Sequence, residues 1–383
     1  MPSLVRQFAA SQYHQLYFET YAPGGFTLNS HSNDNESITR IKKRNWQFIV
    51  LQEQSQLPSF PDSDVDFYVY PALLKLDSII SENSECSLPT FFRTWGRKNG
   101  DSKNCAVWPP VCTYKGMDSL LGIRYQKMAD TTNGVVVPVG EVWKKVREQY
   151  PLIELYKPDE SHPSVEGSYL AACCFYTVFF REDPTKSNYK YTLNDSTANR
   201  IKRITKQVVF NKLSAWNVGK NDPISDFEIL SNENGKVTAV STSKNAFQNN
   251  WLYGDSTGFF NDTALHGDTV TLSFKKSGNY VVNLQSVGCF RTDEVTKKLE
   301  IKVDPVFIED RGSDNIQVIV DENSVSIITK SNYQFVSFFD LNGRLLSKAT
   351  FNNSATFLSA HLPNMFIVQL RSPNGTYSKL IVR

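Results

Sequence analysis

Apolar positions in the first half of the chain follow two rhythms. Short apolar runs at residues 46–51 (Trp-Gln-Phe-Ile-Val-Leu), 90–95 and 135–138 predict strands buried on both faces. Between them, spacings of three and four predict helices at 2–14, with Leu4, Val5 and Phe8 on one face, and at 36–44. The same spacing predicts helices at 69–81, with Leu73, Leu76, Ile79 and Ile80 inward, and at 116–132 and 140–150. A further strand is expected at 16–21, ahead of Pro23-Gly24-Gly25. After Pro163, Tyr169, Ala172, Cys173 and Tyr176 recur at helical spacing. Proline lacks an N–H and has a φ suited to the first turn, so a last helix starts there. Strands and helices in alternation predict a parallel α/β sheet over residues 1–185.

The rhythm then changes. Residues 186–222 are polar apart from a helical patch at 201–213, where Ile204, Val208 and Val209 share a side; they are expected to form a helical extension and linker. Period-two alternation at 236–241, 269–274, 280–284 and 299–303, divided by Gly, Asn and Asp turns, predicts a small antiparallel sandwich over 223–304. A second all-β part is expected over 314–383, with strands at 316–320, 324–328, 334–340 and 365–370. Asp340-Leu-Asn-Gly-Arg has the composition of a hairpin turn.

Composition narrows the classes. At 383 residues the chain is long enough for two or three domains, and 40% hydrophobic with 13% aromatic residues is enough to core them. A net charge of +2 gives no reason to expect nucleic acid or an acidic partner. No apolar run approaches the ~20 residues a membrane span needs, and the first residues lack the basic and apolar segments of a signal peptide. Of six cysteines, Cys105 and Cys112 flank a short loop that one disulfide could close, whereas Cys173 and Cys174 suit helix packing.

Chemistry is expected where strands end, because parallel sheets bind ligands beyond their carboxyl edge. Gly24-Gly25, Gln52-Glu53-Gln54-Ser55, Thr94-Trp95-Gly96-Arg97 and the pair Asp159/His162 all fall at such breaks. Asp159 stands three residues before His162; a carboxylate on one ring nitrogen leaves the other free as a general base. A glycine N–H at Gly25 and an amide N–H at Gln54 are candidate donors to a developing oxyanion. Taken singly, each has a plainer reading: a capping Asp with a surface His, a tight turn, a solvated loop. Of the histidines His14, His31, His162, His266 and His361, His162 alone has a carboxylate at useful spacing, although His31 follows Gly25 in the same loop. No cluster has metal-ligand spacing and no glycine-rich phosphate loop occurs, so no metal or cofactor is expected. Tyr68, Trp95 and Trp108 are candidate sugar-stacking aromatics, with core or lid packing as the alternative.

The wider pattern Asp159-x-x-His-Pro-Ser-x-x-Gly-x-Tyr-Leu-Ala resembles the last block of the SGNH (GDSL-like) hydrolases. Leu51-Gln-Glu-Gln-Ser stands where that family carries a Gly-x-Asn-Asp block. The resemblance implies a flavodoxin-like, parallel three-layer α/β fold for residues 1–185, ahead of the two all-β sandwich domains expected from the alternation. It implies Asp159 and His162 as two members of a Ser-His-Asp triad, with Gly25 and Gln54 as oxyanion donors. Gln52-Glu53-Gln54-Ser55 departs from the family's third block. The family's first block, a strand ending in the nucleophilic serine, has no counterpart; Ser3 and Ser11 lack the strand-turn-helix setting that activates a hydroxyl. An upstream start is therefore expected, and the missing strand would leave its sheet neighbours with an open edge.

Two further resemblances concern the β-rich half. Trp251-Leu-Tyr-Gly-Asp-Ser and Ser277-Gly-x-Tyr-Val-Val-x-Leu resemble PKD (polycystic kidney disease) domains, implying a spacer or carbohydrate-facing module. In it Asp255 is a turn cap, with calcium binding as the alternative. Phe338-Phe-Asp-Leu-Asn-Gly-Arg-Leu-Leu, with the closing Lys379-Leu-Ile-Val-Arg, resembles the C-terminal sorting domain of the type IX secretion system. That implies the secretion machinery as a partner and a secreted or cell-surface location. The expected activity is hydrolysis of an ester, an acyl group on a carbohydrate being one candidate. The alternatives are an inactive surface binding or adhesion protein, or a fragment of a longer gene product.

Overall fold

The computed structural model describes residues 1–259, 264–304, 306–310, 316–321, 324–358 and 362–382. His361 and the expected domain start at 314 lie outside them. The chain divides into two compact units, Met1–Asn221 and Asp222–Arg383.

In the first unit, β1 (Phe48–Leu51), β2 (Leu88–Phe92) and β3 (Val135–Val137) form a parallel sheet in that order. Val50 pairs with Thr90, and Phe91 with Val136. Nine α-helices occur among the described residues: α1 (Pro2–Ala10), α2 (Leu28–Asn33), α3 (Asn35–Lys42), α4 (Asp62–Tyr68), α5 (Tyr70–Asn83), α6 (Tyr114–Thr131), α7 (Val139–Gln149), α8 (Val165–Phe180) and α9 (Asp195–Val208). Successive strand side chains point to opposite faces. Phe91 and Val136 join one core with Leu28, Val65, Leu73 and Leu121, from α2 and α4 to α6. Phe92, Val135 and Val137 join the other with Phe8, Trp143, Tyr169 and Ile201, from α1 and α7 to α9. The unit is thus a three-layer α/β/α body. β1 has one strand neighbour among the described residues, β2.

Three local expectations fail. Residues 16–21 form no strand, and no backbone hydrogen bond is made over 15–22 among the described residues. Their alternation serves side-chain contacts instead: Tyr17 stacks on Trp46, with the Arg44 guanidinium 4.1 Å from its ring centre, and Glu19 pairs with Arg40 and Lys43. The first helix stops at Ala10, where Ser11 Oγ donates to Phe8 O and Tyr13 adopts a left-handed φ of 63°. Pro163 stands one residue before the N-cap of α8 rather than inside its first turn; Ser164 Oγ accepts from Gly167 N at 3.0 Å. Gly167 has a packing reason: a Cβ there would stand 2.4 Å from Leu155 O and 2.5 Å from the Trp143 ring.

The second unit holds two pairs of antiparallel sheets. In the first pair, β4 (Phe227–Glu233), β5 (Lys236–Ser241) and β9 (Thr269–Ser273) face the sheet of β6 (Gln248–Asp255), β7 (Gly258–Phe259), β8 (Leu265–His266), β10 (Gly278–Val287) and β11 (Thr292–Ile301). Phe227, Val237 and Leu272 from one sheet pack on Trp251, Val282 and Leu284 from the other. Asp255 caps its turn by accepting from Thr257 N and Oγ1. In the second pair, β12 (Val306–Asp310), β13 (Ile316–Val320), β14 (Ser324–Ile328) and β17 (Ser354–Leu358) form one sheet. β15 (Phe335–Phe339), β16 (Leu345–Thr350), β18 (Met365–Ser372) and β19 (Gly375–Val382) form the other. Asp340 closes the β15–β16 hairpin by accepting from the N–H groups of Asn342 and Arg344, with Gly343 at φ 79°.

Candidate functional site

The turn before α8 is built to hold one carboxylate against one imidazole. Asp159 Oδ1 accepts from Ser161 N at 3.0 Å and His162 N at 2.9 Å, and Oδ2 lies 2.6 Å from His162 Nδ1. Glu160 takes a left-handed φ of 57° to bring these donors round. The two backbone N–H groups and then the ring hold the Asp159 carboxyl down at about 2. An ionised carboxylate only accepts, so Nδ1 carries the proton and the lone pair is on Nε2. Nε2 makes no hydrogen bond among the described residues, and the His162 side chain is 73% exposed. Chemically this is an oriented base open to an incoming group.

Gln54 lies at the exit of β1, whereas Gly25, expected at a strand end, lies in a turn that no strand precedes among the described residues. Gly25 sits in the Pro23–Phe26 turn with φ 78°; no atom stands within 4 Å of where a Cβ would be, and its N–H has no acceptor among the described residues. Gln54 is the third residue after β1. Glu53 ties the two segments together: its carboxylate accepts from Leu28 N, the first residue of α2, at 3.1 Å, and from Gln54 N at 2.6 Å. Glu53 is 1% exposed, and burial pushes its carboxyl up to about 7 against the pull of those two N–H groups. Its role was missed in the sequence, where Gln54 was the residue singled out of this segment and Glu53 was given none. An acid placed straight after a buried apolar run was the available signal.

The remaining loops are laced to these. Lys98 N donates to Glu160 O, Asn99 Nδ2 to Glu160 Oε2, and Trp95 Nε1 to Ser161 O, fastening the β2 exit to the Asp159–His162 turn. Gln56 Nε2 donates to Asp101 Oδ2 at 2.7 Å, fastening the β1 exit to the same 97–104 loop. Cys105 and Cys112 are bonded, with Cα atoms 4.6 Å apart, and close the end of that loop. The structure therefore brings Asp159 and His162 into contact and gathers the strand exits, while no hydrogen bond joins His162 to Gly25 or Gln54 among the described residues.

The other candidates have structural partners. His31 lies on α2, its Nδ1 2.8 Å from Ser37 Oγ, and burial lowers its pKa. His14 pairs with Glu182 and stacks on Phe180, and His266 bonds Asn250. Trp95 is stacked on Trp143 at 3.8 Å in the core, and Trp108 donates to Ser59 O. Tyr68 is exposed beside Phe67. Among the described residues, no group of three or more His, Cys, Asp or Glu is placed to hold a metal ion, and no helix is long and apolar enough to cross a membrane.

Neither known protein families nor curated proteins give a match to the chain. Solved structures do, over about half its length. A DUF4886 family protein from Bacteroides uniformis is 13% identical over 54% of this chain and 87% of its own, with a TM-score of 0.44. A protein from Slackia heliotrinireducens named as a candidate SGNH hydrolase is 20% identical over 45% and 89%, with a TM-score of 0.37. An acetyl xylan esterase from Geobacillus stearothermophilus is 14% identical over 47% and 78%, with a TM-score of 0.32.

Proposed function

We propose that the first unit is the body of an SGNH-type ester hydrolase, acting on an ester such as an acyl group on a carbohydrate. One observation carries the reading: His162 Nδ1 is 2.6 Å from a fully ionised Asp159, leaving Nε2 as the free base. A serine outside these 383 residues attacks the acyl carbon, on a strand that pairs with the open edge of β1. His162 takes the serine proton and returns it to the leaving group; Asp159 holds the ring and stabilises the imidazolium. Gly25 N–H and the Gln54 amide receive the oxyanion. On this reading the 383-residue chain by itself is inactive, and no cofactor takes part. The β parts serve export and display: 223–304 as a PKD-like spacer, and 314–383 as a sorting domain read by the type IX machinery, giving a secreted or surface-held protein.

The test is hydrolysis of para-nitrophenyl acetate by the chain extended upstream in its reading frame. His162→Ala is expected to lower kcat by about a thousandfold or more. An unchanged rate removes His162 from the chemistry. A second reading, a surface binding protein without catalysis, is favoured by the lack of a hydroxyl on His162 Nε2 among the described residues. It predicts no turnover from the extended chain either.

A further inference from the structure

Gln54 does not choose its own orientation. Its Oε1 accepts from Gln56 N at 2.9 Å and Leu57 N at 3.2 Å, and its Nε2 donates to Gln56 Oε1 at 3.1 Å. Gln56 in turn gives Nε2 to Asp101 Oδ2 at 2.7 Å. Asp101 is fully buried, 45 residues further along the chain, and meets donors only: Gln56 and Asn104 Nδ2 on Oδ2, Arg97 Nη1 and Lys103 N on Oδ1. A side-chain amide has a donor end and an acceptor end of nearly the same shape, and only its partners decide which faces where. An ionised carboxylate accepts and never donates. Gln56 must therefore turn Nε2 towards Asp101 and Oε1 towards Gln54, and Gln54 must answer with Nε2. One hydrogen of that Nε2 goes to Gln56; the other has no acceptor among the described residues.

We propose that Asp101 is a positioning residue for the Gln54 amide: the N–H groups of Gln56 and Leu57 decide which end faces them, and Asp101, through Gln56, fixes the acceptor that holds Gln54 Nε2 in place at the β1 exit. The inference deepens the oxyanion role given to Gln54 above and rests on that reading for its catalytic meaning, but the coupling itself is a property of the folded chain. No hydrogen bond joins Asp101 to Gln54 among the described residues; Gln56 is bonded to both. The disulfide at Cys105–Cys112 and the bond from Asp101 N to Val111 O (2.8 Å) hold Asp101 in place as the fixed end of the relay.

The coupling is tested on the 383-residue chain with glutamine isotope-labelled at the side-chain nitrogen, reading the Gln54 and Gln56 amide signals by NMR. Gln56→Met keeps the length of the side chain and removes both of its hydrogen bonds. Asp101→Asn is expected to shift the Gln54 signals in the wild-type background and to add no shift in the Gln56→Met background. Gln54 signals that ignore Asp101→Asn, or that move equally with and without Gln56, overturn the relay. In the upstream-extended chain, Gln54→Ala is expected to lower kcat on para-nitrophenyl acetate about a hundredfold. Gln56→Met and Asp101→Asn are expected to lower it about tenfold each, with KM held and with no further loss when combined. If Gln54→Ala is silent while the NMR coupling is present, the oxyanion reading fails and the relay stands. If the coupling is absent while Gln54→Ala is slow, the relay fails and the oxyanion reading stands.

Discussion

Asp159 and Glu53 are two carboxylates doing opposite things with nearly the same local bonds. Each accepts two backbone N–H groups: Ser161 and His162 for Asp159, Leu28 and Gln54 for Glu53. Yet Asp159 is held at about 2 and Glu53 is raised to about 7. Burial separates them. The Asp159 side chain is 48% exposed, so water still solvates its charge and the donors outweigh desolvation. Glu53 has lost its water, and two N–H groups do not replace a hydration shell. The fold thus keeps a permanently charged acid where an imidazole needs steering, and an acid near its titration point where two loops need a clamp.

The sharpest way to break this comparison is to remove each charge in turn. In the upstream-extended chain, Asp159→Asn is expected to lower kcat by about a thousandfold to ten-thousandfold, because an amide no longer enforces the Nδ1–H tautomer. Glu53→Gln is expected to cost less than about tenfold, since a glutamine oxygen still accepts from Leu28 and Gln54. Steady-state rates on para-nitrophenyl acetate decide it. A larger loss at Glu53 than at Asp159 reverses the two roles.

A second effect is seen in stability. Glu53 holds its proton more tightly in the fold than in the unfolded chain, where the ordinary value is 4.5. Its contribution is full below that value and is lost as pH rises through about 7. The stability of the wild type relative to Glu53→Gln should therefore fall by about 3 kcal/mol from about pH 4.5 to about pH 8. Urea unfolding followed by tryptophan fluorescence measures it. A flat difference means that Glu53 titrates in the fold as it does in the unfolded chain.

What was legible in the sequence follows the same division. β1 and β3 could be read because Phe48–Leu51 and Val135–Val137 are apolar at every position, although of the two only β3 is buried on both faces and Val50 of β1 is exposed. Asp159 and His162 could be read because a local turn brings together residues three apart. Residues 16–21 misled: alternating aromatic and polar residues suit a strand, but here they suit equally well a surface strip pinned by Trp46 and Arg44. Asp101 could not be read at all. Arg97 is four residues away in its own loop, but Gln56 reaches it only once the exits of β1 and β2 stand side by side, and no spacing records that.

The smallest predicted effect is the most discriminating about Asp159 itself. Its acidity is set first by the backbone N–H of His162, next by that of Ser161, and only then by the imidazole. His162→Ala deletes the ring but leaves both N–H groups in place. The Asp159 carboxyl should therefore rise only slightly and stay below its ordinary value of 3.8. The ordering it gives the turn is then present above that value and lost as pH falls towards about 2. A carboxyl-carbon NMR titration of the variant reads this directly. If Asp159 returns to 3.8, the imidazole was holding the charge and the turn was not. If it stays low, the turn charges the acid before any histidine is present, and His162 is steered by a carboxylate that does not depend on it.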